Sequence, residues 1–372
     1  MSRGFVPGKR ARLALSFLLA ALPLTSQDLA FHGQLSGWFI LNDVKPSTPR
    51  VGLRYLPSVS AAKKLPKERA IDGELSLNAY LGGESPGWKG FDASRRIKPY
   101  RAWARFSTPR LEARVGLQKL NFGSAMLLRP LMWFDSVDPR DPLSLTDGVY
   151  GLLVRYSTRN NTSLWGWGLY GNGRPKGWES VPTREKTPEF GGRIQAPVPR
   201  GELAFTTHHR RADFSKGLSP IQSVPEHRYG LDGKWDLGPG VWFEGVLTHQ
   251  GHPLIAKPYQ AALNIGADYT FGLGGGLHVL GEHFTMHNPR MRLLAATVSY
   301  PAGLLDTFSG IVYVDTDNRK AYNFASWKRT YDHWSFFVMG FWNPAQSMIY
   351  QGRPGQNVMA GRGVQIMAVF NH

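Results

Sequence analysis

Strict alternation of apolar and polar residues, in runs of about ten, recurs down almost the whole chain. Between Ile71 and Leu81, the residues Ile71, Gly73, Leu75, Leu77, Ala79 and Leu81 share one face, and Asp72, Glu74, Ser76, Asn78 and Tyr80 share the other. Tyr259 to Phe271 repeats the pattern. A period of two means extended strands with two unlike faces. Strands of about nine to thirteen residues exceed the usual length in soluble sheets and suit a tilted crossing of a bilayer. The bilayer core has no water to satisfy an open sheet edge, so such strands must close on themselves. The repeat therefore predicts an all-β fold, a transmembrane antiparallel up-and-down β-barrel of about 16–18 strands.

Other features agree. The 372 residues contain no Pro/Gly/Ser linker, so one domain is expected over 27–372. No apolar stretch reaches the ~20 residues of a spanning helix. Cys is absent, which excludes disulfides, thiolate metal sites and Cys nucleophiles. Residues 1–26 read as an export signal: Arg3, Lys9, Arg10 and Arg12 precede a short apolar core from Leu13 to Leu24. Without those four basic residues, the formal charge of +17 falls to about +13. In an exported barrel that excess points to anionic lipid headgroups, lipopolysaccharide phosphates or anionic solutes, and not to nucleic acid. Lys89, Arg95, Arg96 and Lys98 form one basic outer stretch, and Arg174, Lys176, Arg184 and Lys186 another.

Strand candidates run near 31–42, 50–57, 70–82, 98–108, 110–121, 148–158, 162–172, 188–197, 201–211, 226–236, 240–250, 259–271, 275–287, 291–300, 304–315, 320–330, 333–342 and 358–370. Short Gly, Pro and Asn turns join most even strands to the next odd one, as at Leu237-Gly238-Pro239, and Ser58 to Arg69 is the exception. Longer connections at 83–97, 122–147, 173–187, 212–225 and 343–357 fall on the other side. This asymmetry is that of periplasmic turns and outer loops. The last strand closes on Phe370, an expected contact for the barrel-insertion machinery.

Alternation assigns basic residues to the lumen, among them Arg54, Arg101, Arg105, Arg114, Arg155, Arg193, Arg210 and Arg228. The lumen acids include Asp72, Glu112, Glu189, Asp232, Glu244 and Glu282. Near-balance of sign points to cross-strand pairing in a wet interior. Local segregation would place Arg101, Arg105, Arg114 and Arg155 along one pore wall able to select anions, with Arg193 and Glu112 as further pore-lining candidates. The segment 122–147 carries the apolar run Leu127 to Phe134, odd for a loop in water, and two Asp-Pro steps. It is expected to fold inward as a constriction bearing Arg129, Trp133, Asp135, Asp138, Arg140 and Asp141, its acids facing the Arg wall. His208 and His209 are expected at a solvated rim. Alternation sends them to opposite faces, so they cannot share a metal.

Arg114-Val115-Gly116-Leu117-Gln118-Lys119-Leu120-Asn121-Phe122-Gly123, followed by a Pro/Asp-rich loop, resembles a segment of outer-membrane porins of the alginate-export and phosphate-selective type. There a strand of Arg-x-Gly-x-Gln form leads into a loop rich in Asn/Asp-Pro. The resemblance covers about 35 residues. It implies a monomeric or trimeric barrel passing anionic or sugar-like solutes.

Together these features predict a porin-like channel in the bacterial outer membrane. It would pass small anionic or polar solutes by passive diffusion and contact lipid and lipopolysaccharide. No cofactor, metal or catalytic motif stands out. The alternative is a non-conducting structural or assembly barrel that docks or sheathes a partner. A lipid-modifying enzyme is a third reading, which no Ser/His spacing singles out.

Overall fold

Each alternating run forms a strand, and successive strands pair. The computed structural model describes residues 28–215, 222–345 and 358–372; the export signal expected at 1–26 lies outside them. The first nine strands are β1 (Asp28–Asn42), β2 (Arg50–Leu65), β3 (Arg69–Glu84), β4 (Asp92–Ser107), β5 (Leu111–Gln118), β6 (Val149–Ser157), β7 (Ser163–Tyr170), β8 (Pro188–Val198) and β9 (Gly201–Asp213). The second nine are β10 (Ser223–Asp236), β11 (Gly240–Gln250), β12 (Tyr259–Phe271), β13 (Leu277–His287), β14 (Met291–Ala302), β15 (Asp306–Asp315), β16 (Lys320–Thr330), β17 (Trp334–Trp342) and β18 (Arg362–Asn371). All neighbours are antiparallel, and β1 pairs with β18 from Gln34↔Asn371 to Asn42↔Gly363. The sheet is a closed 18-stranded barrel.

The two faces differ as the alternation requires. Leu203, Phe205, Leu231, Leu247, Leu263, Ile265, Leu294, Val298, Phe308 and Ile366 are exposed on the outer face. Thr206, Asp232, Glu244, Asn264, Glu282 and Gln365, of opposite parity, are buried on the inner face. An outer apolar belt is costly in water, at about 25 cal/mol per Å². Lipid removes that cost, so a closed barrel of this kind belongs to a bacterial outer membrane.

The first hairpins depart from expectation. β2 runs to Leu65 and turns within three residues, Lys67 and Glu68 taking positive φ, so the supposed loop 58–69 is mostly strand. Pro57 read as a strand end. Instead the β2–β3 ladder passes from Tyr55↔Ala79 to Ser58↔Ser76, leaving the proline without a partner on β3. A register shift at Ser76/Leu77 lies alongside on β4, next to Pro99. Irregularities of this kind absorb the missing donor. β4 likewise starts at Asp92, so Arg95 and Arg96 are strand residues and the outer connection shortens to a 3-10 turn at Pro86–Trp88.

Two buried clusters join the β5–β6 connection to inner-face residues. One joins Phe122, Leu131, Trp133 and Phe134 to Leu153, Trp167 and Leu169. The other joins Ala125, Leu127 and Leu128 to inner-face residues of β11 and β13–β17, including Trp242, Phe284, Tyr313, Phe324 and Phe341.

Candidate functional site on the inner wall

The β4–β5–β6 register sets Arg105 opposite Arg114 and Glu112 opposite Arg155. Like charges side by side repel, and acids interleave to offset this. Arg105 binds Asp72 through both Nε (2.8 Å) and Nη2 and lies 3.5 Å from Glu112. Arg114 donates to Glu112 at 2.9 Å. Indole faces carry part of the remaining charge: Arg114 sits 4.7 Å over Trp103, and Arg155 3.8 Å over Trp165. The structure thus brings Arg105, Glu112, Arg114 and Arg155 into one network on three adjacent strands.

The other expected wall residues sit apart from it. Arg101 is buried and donates to the carbonyls of Tyr100 (2.6 Å) and Thr146 (3.1 Å). Arg193, on β8, makes a bidentate pair with Asp232 at 2.6 and 2.8 Å and lies 5.3 Å over Phe122. Trp103 and Trp165 were not singled out from sequence; their inward parity beside arginines is the signal that could have found them.

The segment between β5 and β6 is held by two carboxylates that sequence reading assigned only to the general inventory of lumen acids. Glu282 accepts the backbone amides of Met126 (2.6 Å), Leu127 (3.2 Å) and Leu128 (2.6 Å). Glu244 accepts those of Ala125 (2.7 Å) and Leu131 (3.1 Å). Asn264 donates to the Leu128 carbonyl at 2.8 Å and to Glu282 at 3.1 Å. Gly123 has φ +95° and passes so close to the Glu244 carboxylate that a Cβ there would collide with it. An apolar run without helix or sheet must satisfy its amides somewhere. Carboxylate acceptors on the wall do so here.

The acids of this segment behave differently from expectation. Asp135 is buried against Arg129 at 3.0 Å, Asp138 pairs with Arg140 at 2.7 Å, and Asp147 pairs with Lys98. Asp141 accepts the amides of Leu143 (3.0 Å) and Leu145 (3.3 Å). Asp147 takes a partner 49 residues away; for the other three, short-range partners won because a carboxylate two to six residues from an arginine or a free amide closes a turn at little chain-entropy cost. These acids therefore do not form a free row facing the arginines. Burial raises the Asp141 carboxyl above the usual carboxylate range; the two amides and the charge of Arg54 pull the other way.

The next connection, 171–187, lies against the first. Trp178 stacks on Phe284 with centroids 5.1 Å apart and donates to the Arg129 carbonyl at 2.8 Å. Lys176 reaches Glu189 on β8 at 3.1 Å. Glu179 reaches Arg210 (3.1 Å) and Arg228 (2.9 Å), and Glu226 binds both arginines at 2.6 Å. His208 belongs to this buried group and not to a solvated rim. It is 1% exposed, takes a hydrogen bond from Trp167 at 3.3 Å and lies 3.4 Å from Glu189. The inward parity of β9 and the two connections above it bury the ring.

No family model matches this chain, and no curated protein matches it by sequence. Solved structures match it in fold. OccAB2 of Acinetobacter baumannii has a TM-score of 0.60 at 8% identity over 93% of this chain and 98% of that one. OccK5 (OpdH) of Pseudomonas aeruginosa has 0.57 at 10% identity over 93% and 98%. OmpT of Vibrio cholerae, an outer membrane protein in its trimer form, has 0.52 at 12% identity over 93% and 99%. At these identities the likeness is one of fold: the chain has the closed barrel of outer-membrane porins.

Proposed function

We propose that the protein is a porin-like channel of the outer membrane, passing small anionic or polar, sugar-like solutes by diffusion. In this reading the segment 122–147 lies within the barrel and narrows it. The observation that carries it is the capture of five backbone amides of that segment by Glu244 and Glu282 on the inner wall. A connection whose backbone is bound to inner-face carboxylates has to cross the lumen to reach them. Across from this anchor, Arg105, Arg114 and Arg155, with Glu112, line the route on the side of β4–β6, and Arg101 and Arg193 brace the segment at Thr146 and Phe122. The arginines give an anion guanidinium donors, and Trp103 and Trp165 give a sugar ring flat apolar faces. The narrower kinship with alginate-export and phosphate-selective porins rests on Arg114 to Gly123 and the loop after it. Outside, lipid and lipopolysaccharide cover the belt, Phe370 meets the insertion machinery, and the barrel stands alone or as a trimer.

The test is a planar bilayer under a KCl gradient. Steady conductance with an anion-selective reversal potential is expected, and replacing Arg105, Arg114 and Arg155 by Ala shifts the reversal toward cations. Unchanged selectivity sinks the wall assignment. One observation favours a second reading, a non-conducting barrel that docks or sheathes a partner. Arg210, Glu226, Arg228, Glu189, Asn264 and Glu282 are all at most 5% exposed, so the upper interior is tightly filled. Folded, inserted protein without conductance would support that reading over the channel.

A further inference from the structure

Register lines up three histidines across the outer face of β9, β10 and β11. His209 lies opposite His227, and His227 opposite His249. Phe190 and Tyr259 continue the row on either side, their rings 4.9 Å from His209 and 4.7 Å from His249. Tyr229 and Leu247, next on the same face toward the short turns, are exposed apolar residues of the belt. The histidines thus sit where the belt ends, near the long connections, and all three are half-buried.

The His209 and His227 Nδ1 atoms are 3.2 Å apart, with ring centroids at 4.4 Å and planes at 43°. A neutral imidazole has one N–H and one lone pair. With one ring protonated at Nδ1 the contact is a plain N–H···N hydrogen bond. With both protons on Nε2, two lone pairs meet, and a cation between them turns the repulsion into a shared coordination. A tetrahedral ion with metal–nitrogen bonds of about 2.0–2.1 Å holds two imidazole nitrogens about 3.3 Å apart. Cis nitrogens on a tetragonal ion such as Cu(II) lie about 2.9 Å apart, and the observed spacing falls between the two spans.

We propose that His209 and His227 form a divalent transition-metal site on the outer wall. Water would fill the open positions, and His249, directly opposite His227, is the nearest further imidazole. Among the described residues no group of three or more His, Cys, Asp or Glu makes a closed metal cage, so the site is an open, two-nitrogen one. Neutral imidazole donors without a carboxylate select copper, nickel or zinc over calcium or magnesium, and Cu(II) binds most tightly. Arg211 shares the face two residues from His209, its Nε held by Ser223 at 3.1 Å, and its charge weakens binding without occupying the donors.

The experiment uses untagged full-length protein in detergent micelles with one equivalent of Cu(II), read by electron paramagnetic resonance. One bound Cu(II) with hyperfine structure from two imidazole nitrogens is expected. His209→Ala and His227→Ala should each weaken binding about tenfold or more and remove nitrogen couplings, while His252→Ala changes neither. Folding of each variant is checked by its heat-modifiable gel migration. If an alanine variant does not fold, wild-type protein is treated with diethylpyrocarbonate; Cu(II) should shield His209 and His227 from modification. Absence of stoichiometric Cu(II), an unchanged signal in His209→Ala, or no shielding overturns the proposal.

Discussion

Glu282 and Glu244 each hold several amides of a segment that has no ladder of its own. A hydrogen bond to a charged acceptor contributes about 1.5–3 kcal/mol. Glu282→Gln turns one acceptor oxygen into a donor facing other donors. We expect it to destabilise the segment by about 2–4 kcal/mol. The measurements are faster amide exchange at Met126 to Leu128 and a larger or noisier single-channel conductance. Unchanged exchange would show that the carboxylate does not anchor the segment. Asp141 gives a pH dependence at the same scale. Its folded carboxyl is raised by burial, so ionising it opposes the folded segment. The stability it contributes is full below the unfolded value and is lost as pH rises through the folded one. Protection of the Leu143 and Leu145 amides should therefore increase on acidification through that range, and Asp141→Asn should flatten the trend.

Two connections lock each other at the scale of elements. The 171–187 segment contributes Trp178, stacked on Phe284 and bonded to the Arg129 carbonyl, and Lys176, bound to buried Glu189. Trp178→Ala should expose the 122–147 segment to limited proteolysis while the barrel itself stays resistant; equal resistance of both would argue against the lock. Lys176→Ala leaves Glu189 charged, buried and without its lysine, a loss of about 3–5 kcal/mol. Pairing it with Glu189→Ala should restore part of that stability in denaturant titrations, because the uncompensated charge goes too. Strand identity was largely legible beforehand, since period two is visible in any one strand. The length of β2 was not, because a proline in the interior of a strand mimics a strand end until the neighbouring ladder shows where the lost donor is absorbed.

For the whole molecule, the network of Asp72, Arg105, Glu112, Arg114 and Arg155 exists only because β3 to β6 bring distant stretches side by side. The sequence by itself determined the strand content, the two-faced wall and the need for closure, because alternation and bilayer solvation act residue by residue. It also determined which parity each charge takes. Only the tertiary structure decided which charges meet. Cross-strand partners depend on register, and register is a property of two strands at once. That is why the acids of 122–147 were expected to face the arginines and instead found other partners, three of them local, why His208 moved from an expected rim into a buried cluster, and why His209 and His227 could not be seen as a pair. Eighteen residues separate those two histidines in the chain. The pairing of β9 with β10 sets their imidazole nitrogens 3.2 Å apart, and no local pattern encodes that distance.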